Sequence, residues 1–181
     1  GKLNLNNQIY CIEPFKDYNY VINYNSKLNK IKNIKIINKV LSDKISDYKL
    51  NIKLGNTSAS ITRNLNATNY INIKSTTIDL VVQHYKIKQV DFVKLDIEGA
   101  EFLALKGAKK TIKNFKPKIV LECSTKNDFS NIKKFFFKFK YQPYIYDIDE
   151  NRFILQKSFK KYYTNLFFLQ KKHLEFTDLN E

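Results

Sequence analysis

Apolar and polar positions along this chain switch between a period of two and a period near 3.6, and the switches divide it into strands and helices. Residues 8–13 (QIYCIE) are a short apolar run closed by a carboxylate and Pro14, which reads as a buried strand. Tyr20, Val21, Tyr24 and Leu28 then recur at near-helical spacing, predicting a helix to about residue 29 with Asp17 as its cap. Residues 34–41 (IKIINKVL) return to strand, and residues 47–54 (DYKLNIKL) alternate as a half-exposed strand does. Residues 55–69 are rich in Asn, Thr and Ser and read as a loop. The segment INIKSTTIDLVVQHY passes from strand into a short helix beginning near Thr76 or Thr77.

The most informative stretch is VDFVKLDIEGAEFLALKGA, residues 90–108. An apolar strand over residues 90–97 ends among Asp96, Glu98 and Glu101, turns at Gly99, and continues as a helix with Phe102, Leu105 and Ile112 on its apolar side. Alternation puts Lys94, Asp96 and Glu98 on one strand face and Val93, Leu95 and Ile97 on the other. Dry, unpaired charges on a central strand are costly. Ligands of open α/β sheets sit beyond the carboxyl ends of strands, so this end is expected to face a ligand; the competing reading is a merely solvated strand end. Glu101 in the helix's first turn favours the dipole and is expected to be structural. Gly107 is expected to kink or end the helix.

Pro117 breaks the pattern, and residues 118–123 (KIVLEC) form another buried strand containing Glu122. Asn127 or Asp128 can cap the next helix, whose face is Ile132, Phe135, Phe136 and Phe139, a core stripe. YIYDI, FILQK and NLFFLQ read as strands, with a hairpin at residues 149–151. The order is α/β, with a parallel sheet and an antiparallel end.

Composition narrows the partners. The chain has 181 residues, 43% of them hydrophobic, which suits one globular domain. The net charge of +15 is nearly all Lys, with only Arg63 and Arg152 as arginines, and the lysines are spread along the sequence. Specific nucleic-acid recognition draws heavily on Arg, so that class is set aside, while a weak affinity for anionic surfaces is consistent with the field. Cys11 and Cys123 lie in apolar runs, suggesting buried thiols in a reducing, cytoplasmic setting. No Cys/His metal spacing is present, so no metal is assigned. No apolar window is long enough to span a bilayer. With Gly at position 1 and no Met, the chain is expected to be a fragment or a processed piece.

The segments IYCIEP, NKVLSD, TTIDLV, VDFVKLDIEGAE, LKGA, KPKIVLEC and NLFFLQ, in this order and spacing, resemble the FkbM-type methyltransferases. The resemblance implies a Rossmann-like class I methyltransferase sheet of strand order 3-2-1-4-5-7-6, mostly parallel with an antiparallel C-terminal strand. It implies S-adenosylmethionine as cofactor and methyl transfer to a hydroxyl oxygen of a sugar, glycan or other small metabolite. By position, Glu13 grips the ribose hydroxyls. Ser42 and Asp43 read the adenine, although such a pair is also an ordinary turn former. Asp96 is the base or orienting group for the acceptor, and Glu98 either positions substrate or braces the Gly99 turn. Lys94 is an ion-pair partner of these acids, and Glu122 lines the acceptor pocket. Lys140 replaces the family's usual Gly before Tyr141, which puts the tightness of that turn in question.

The family's first strand and its glycine-bearing loop have no counterpart among Gly1, Gly55, Gly99 and Gly107. The expectation is therefore a single domain, residues 1–181, N-terminally incomplete, with a gap between the strands at residues 8–13 and 90–97. Such a piece alone should bind cofactor poorly and be inactive. The same topology places Cys11 and Cys123 on strands too far apart for a disulfide. A non-catalytic remnant of the fold, kept as a binding or structural module, is the alternative. A nicotinamide enzyme would share the acidic second-strand end, but its GxGxxG loop is equally unseen.

Overall fold

A computed structural model describes residues 7–51, 70–160 and 165–175. Strand β1 (Ile9–Ile12) lies parallel to β2 (Ile34–Ile37), Ile9 opposite Ile34, with helix α1 (Lys16–Leu28) crossing between them. None of the α1 residues is buried, and Tyr20, Tyr24 and Leu28 stand exposed. The helix opens two residues earlier than expected. Its N-cap is Phe15, which offers no side-chain bond, and Asp17 sits inside the first turn, where its charge suits the dipole.

The strand expected over residues 34–41 is two strands in two sheets. The Asn38 amide donates to the carbonyls of Glu13 (3.1 Å) and Pro14 (2.7 Å), a side-chain alternative to the ladder that interrupts it. Beyond it, β3 (Val40–Leu41) runs parallel to β5 (Tyr70–Thr76), which also pairs antiparallel with β4 (Asp47–Asn51). The loop expected at residues 55–69 lies outside the described residues. Helix α2 (Ile78–His84) starts as expected, with the Thr77 hydroxyl accepting from Leu80 N.

The remaining strands, β6 (Phe92–Leu95), β7 (Lys118–Glu122), β8 (Gln142–Asp147), β9 (Arg152–Leu155) and β10 (Asn165–Leu169), form the order β6-β7-β10-β8-β9. Strand β6 is parallel to β7, and β10 is inserted antiparallel between β7 and β8. Strand β9 closes the expected hairpin against β8. Strands β1 and β6 fall in separate sheets, as the expected gap between them requires, and β10 is the expected antiparallel C-terminal strand, but the pairings among the described residues are not mostly parallel. Three sheets are present among the described residues, with three parallel and four antiparallel pairings. Two hairpins and the inserted β10 supply the antiparallel majority. β1 and β6 each keep one edge without a strand partner among the described residues.

The core lies against this larger sheet. Helix α5 (Lys126–Phe137) buries Ile132 and Phe136, and the Phe136 ring stacks on Phe168 at 4.4 Å. Its N-cap is Thr125 rather than Asn127 or Asp128. The Thr125 oxygen accepts from Asp128 N (3.1 Å) and its hydroxyl donates to the Asp128 carboxylate. Cys11 and Cys123 are free; Cys11 is in β1, and Cys123 directly follows β7 of the five-stranded sheet. Burial pushes the Cys123 thiol up to about 12, with Asp128, Glu101 and Glu122 adding to the shift, so it is unreactive.

Four helix ends share an unusual closure. Lys30, Lys86, Lys116 and Lys140 all adopt the left-handed conformation, with φ of 55°, 51°, 52° and 61°. After α1, α2 and α5 the bonds form Schellman pairs: Ile31 N to Ser26 O, Ile87 N to Val82 O, and Tyr141 N to Phe136 O close the longer loop in each. After α4 (Lys109–Phe115), Pro117 has no N–H to give, so a single bond from Lys116 N to Ile112 O remains. The turn at Lys140 is therefore made without glycine. A side chain in this conformation is strained, so each Lys→Gly substitution should add about 0.5–1 kcal/mol of stability. A raised urea midpoint in the quadruple variant would bear this out; an unchanged one would refute it.

Candidate active site

Strand β6 delivers Asp96 just past its end. Lys94 Nζ lies 2.8 Å from Asp96 Oδ2, but both side chains are about half exposed, so the pair contributes little to stability. The chain then reverses through two successive left-handed residues, Glu98 (φ 54°) and Gly99 (φ 89°), with Ala100 N donating to Ile97 O. The carboxylate that braces this turn is Glu101, not Glu98. Glu101 opens α3 (Glu101–Lys106), is only 5% exposed, and accepts from Ile97 N at 2.9 Å. Burial raises its carboxyl, opposed by the backbone N–H groups it accepts from.

Glu13 follows β1. Its Oε1 accepts from Phe15 N at 2.7 Å, and partial burial raises its carboxyl against that bond. Glu13, Asp96 and Glu98 line one depression of about 160 Å³ between the ends of β1 and β6, together with Lys39 and Tyr18. Ser42, Asp43 and Glu122 lie outside that lining. Ser42 is fully buried, its hydroxyl 2.7 Å from Tyr48 Oη and 3.3 Å from Asp43 Oδ1, while Asp43 itself is exposed. Glu122 closes β7 and accepts from the Ser124 hydroxyl at 3.2 Å. Lys39 is the one cation in the lining; sequence reasoning missed it because one lysine among many carries no signal.

Behind the depression, three distant segments lock together. The Asp79 carboxylate accepts from Lys110 N (3.0 Å), Thr111 N (2.8 Å) and the Thr111 hydroxyl (2.7 Å), so a residue of α2 caps α4. Asp79 N in turn donates to Gly107 O at 2.9 Å. Gly107 separates α3 from α4 as expected, and it also packs flat on its neighbours: a Cβ there would lie 2.3 Å from Ser42 O and 2.9 Å from Thr77 Cβ. The legible sign of this arrangement was a helix start, GAKK, with no capping residue of its own.

Chemically, three carboxylates beside one lysine can accept hydrogen bonds from hydroxyls and can take up a proton. The volume suits part of a ligand, since whole-ligand pockets run from about 300 Å³ upward. Among the described residues, no three His, Cys, Asp or Glu side chains gather to hold a metal ion, and no helix is long and apolar enough to cross a membrane.

Among curated proteins, no sequence matches this chain. A solved structure of a methyltransferase FkbM from Methylobacillus flagellatus KT matches with a TM-score of 0.55 at 19% identity, over 89% of this chain. The match covers 36% of that protein, so the chain spans about a third of its length. At that identity the likeness speaks to the fold, a mixed arrangement of sheets and helices. The sequence itself matches the model of the methyltransferase FkbM domain over residues 3–156, which takes in both walls of the carboxylate depression and the Asp79–Gly107 lock behind it. The chain belongs to the FkbM methyltransferase family.

Proposed function

We propose that this chain is part of an S-adenosylmethionine-dependent methyltransferase that methylates a hydroxyl oxygen of a sugar or other small metabolite. The observation that carries the reading is the convergence of Glu13 with Asp96 and Glu98 in one depression of a chain from this family. Glu13 fits the ribose, because a carboxylate can accept from two vicinal hydroxyls and only its Oε1 is engaged by Phe15 N. Ser42 and Asp43 would reach the adenine only from outside the depression, and Glu122 the acceptor likewise. Bound at this edge, the cofactor supplies an electrophilic methyl group. Asp96 would orient the acceptor hydroxyl and take up its proton. Glu98, at the turn, lines the acceptor side.

The fit covers the ribose end. The depression is too small for the whole cofactor, and among the described residues no glycine lines it. On this reading the open edges of β1 and β6 take one more parallel strand with a glycine-bearing loop, completing a Rossmann-like sheet in one domain, and residues 1–181 alone bind cofactor weakly and are inactive. The second reading is a non-catalytic remnant of the fold.

Calorimetry on the natural full-length protein separates the two. Cofactor binding weakened about tenfold by Glu13→Gln, from loss of a charged hydrogen-bond acceptor, supports the enzyme, whereas no binding at all favours the remnant. Asp96→Asn should lower methyl transfer about a hundredfold and leave cofactor affinity unchanged; an equal loss of both would remove Asp96 from the acceptor side.

A further inference from the structure

The helix ends gather charge that the sequence spreads out. Helices α4 and α5 each end just before a strand, so Lys116 and Lys140 stand at the amino edge of β7 and β8. Strand β10 runs the other way, so Lys171 and Lys172, which follow it, meet the same edge. There the ends of α4 and α5 and the 3₁₀ turn Lys171–His173 enclose a depression of about 450 Å³. Its lining includes Lys113, Lys116, Lys138, Lys140, Lys171 and Lys172 and no acidic residue. Among the described residues the ion pairs are Lys94–Asp96 and Arg152–Glu150, neither of which involves these six. Two helix C-termini bring about one unit of negative charge between them, which leaves most of the six uncompensated. At the same end of α5, Phe137 is 80% exposed and lies three and four residues after Lys134 and Lys133, which makes it their neighbour on the helix surface.

We propose that this amino edge docks on an anionic lipid surface, the lysines meeting headgroup phosphates and Phe137 entering the interfacial layer. A site for one small phosphate compound uses oriented donors such as Arg forks or free backbone N–H groups. Here the charges are points on flexible stems, and Gln170, the neutral polar residue of the lining, already gives its amide to Phe139 O at 2.7 Å. Charge without orienting groups suits a fluid array of headgroups, and an exposed aromatic ring among lysines suits the interface. The carboxylate depression lies at the opposite edge of the sheet, past the ends of β1 and β6. A molecule docked this way keeps that depression open to water.

The test is sedimentation of the natural full-length protein with phosphatidylcholine vesicles, with and without phosphatidylglycerol. Binding should require phosphatidylglycerol and fall with added salt. Each surface lysine is worth about a fivefold change in partition, so K138Q/K171Q/K172Q should lower binding about a hundredfold. Phe137→Ser should lower it about tenfold. All four positions are exposed, and a thermal melt checks that the variants stay folded; if the triple variant melts early, K134Q/K138Q takes its place. Absence of phosphatidylglycerol-dependent binding overturns the proposal. So does unchanged binding by either variant. Equally tight binding of inorganic tripolyphosphate or duplex DNA, indifferent to Phe137→Ser, also overturns it, because it would mark a site for soluble polyanions.

Discussion

Gly107→Ala should destabilise the fold by about 3–4 kcal/mol, at or beyond the upper end of what overpacking costs. The added methyl would lie 2.3 Å from the Ser42 carbonyl oxygen and 2.9 Å from Thr77 Cβ. The first contact is with backbone, and neither neighbour can rotate away. Ser42 is held by its N–H to Thr76 O and by its hydroxyl to Tyr48, and Thr77 caps α2. Relief therefore requires moving α3 and α4 off α2, which would also stretch the bond from Asp79 N to Gly107 O. The residue's φ is ordinary, since Gly107 does not fall in the left-handed region that Gly99 occupies, so the penalty is one of space alone. A urea titration of the full-length protein reads the midpoint. A loss below about 1 kcal/mol, or the gain of about that size that a helical Gly→Ala change ordinarily gives, would show that the three segments are not locked as described.

Asp79→Ala should cost about 3 kcal/mol by a different route, the orphaning of hydrogen-bond donors. Three donors lose their acceptor at once, and one of their owners, Thr111, is only 2% exposed. Helix α4 has no substitute, because its N-cap is Ala108. Asp79→Asn separates charge from geometry. Its carbonyl oxygen can still accept from Thr111, while its amide would face the Lys110 N–H, so about half the loss is expected. If Asn and Ala are equally harmful, the charge at the helix start dominates; if Asn is harmless, the cap is purely a matter of shape. Because Asp79 and Gly107 share a bond, the double variant should lose less than the sum of the two.

Much of the order of elements was legible because periodicity is local. The runs at residues 8–13, 118–123 and 144–148 each lie within a few residues of an observed strand, and the Phe-rich stripe of α5 is core. What failed was non-local or rested on one side chain. Nothing in IKIINKVL says that Asn38 will bond back to Glu13 and Pro14 and send the next two residues to another sheet. Sheet membership depends on pairings between distant segments, and periodicity carries none of that. For the site, strand ends named Glu13, Asp96 and Glu98, which share one depression, because ligand sites of α/β folds gather beyond the carboxyl ends of strands. The burial of Ser42 against Tyr48 and Gly107 was not legible, since a Ser-Asp pair reads the same in an open turn as under a helix. Asp79 escaped notice because its partner helix starts 30 residues later.

Helix α1 buries no residue of its own, yet Tyr18 from its first turns and Phe15 at its cap form part of the carboxylate depression. Its amides should therefore exchange with solvent deuterium through local opening, well before those of α5 beneath the larger sheet. Occupancy of the depression and folding of α1 are then one coupled equilibrium. A molecule seated against Glu13 would slow exchange along the whole helix, and some of its binding free energy would be spent on ordering those thirteen residues.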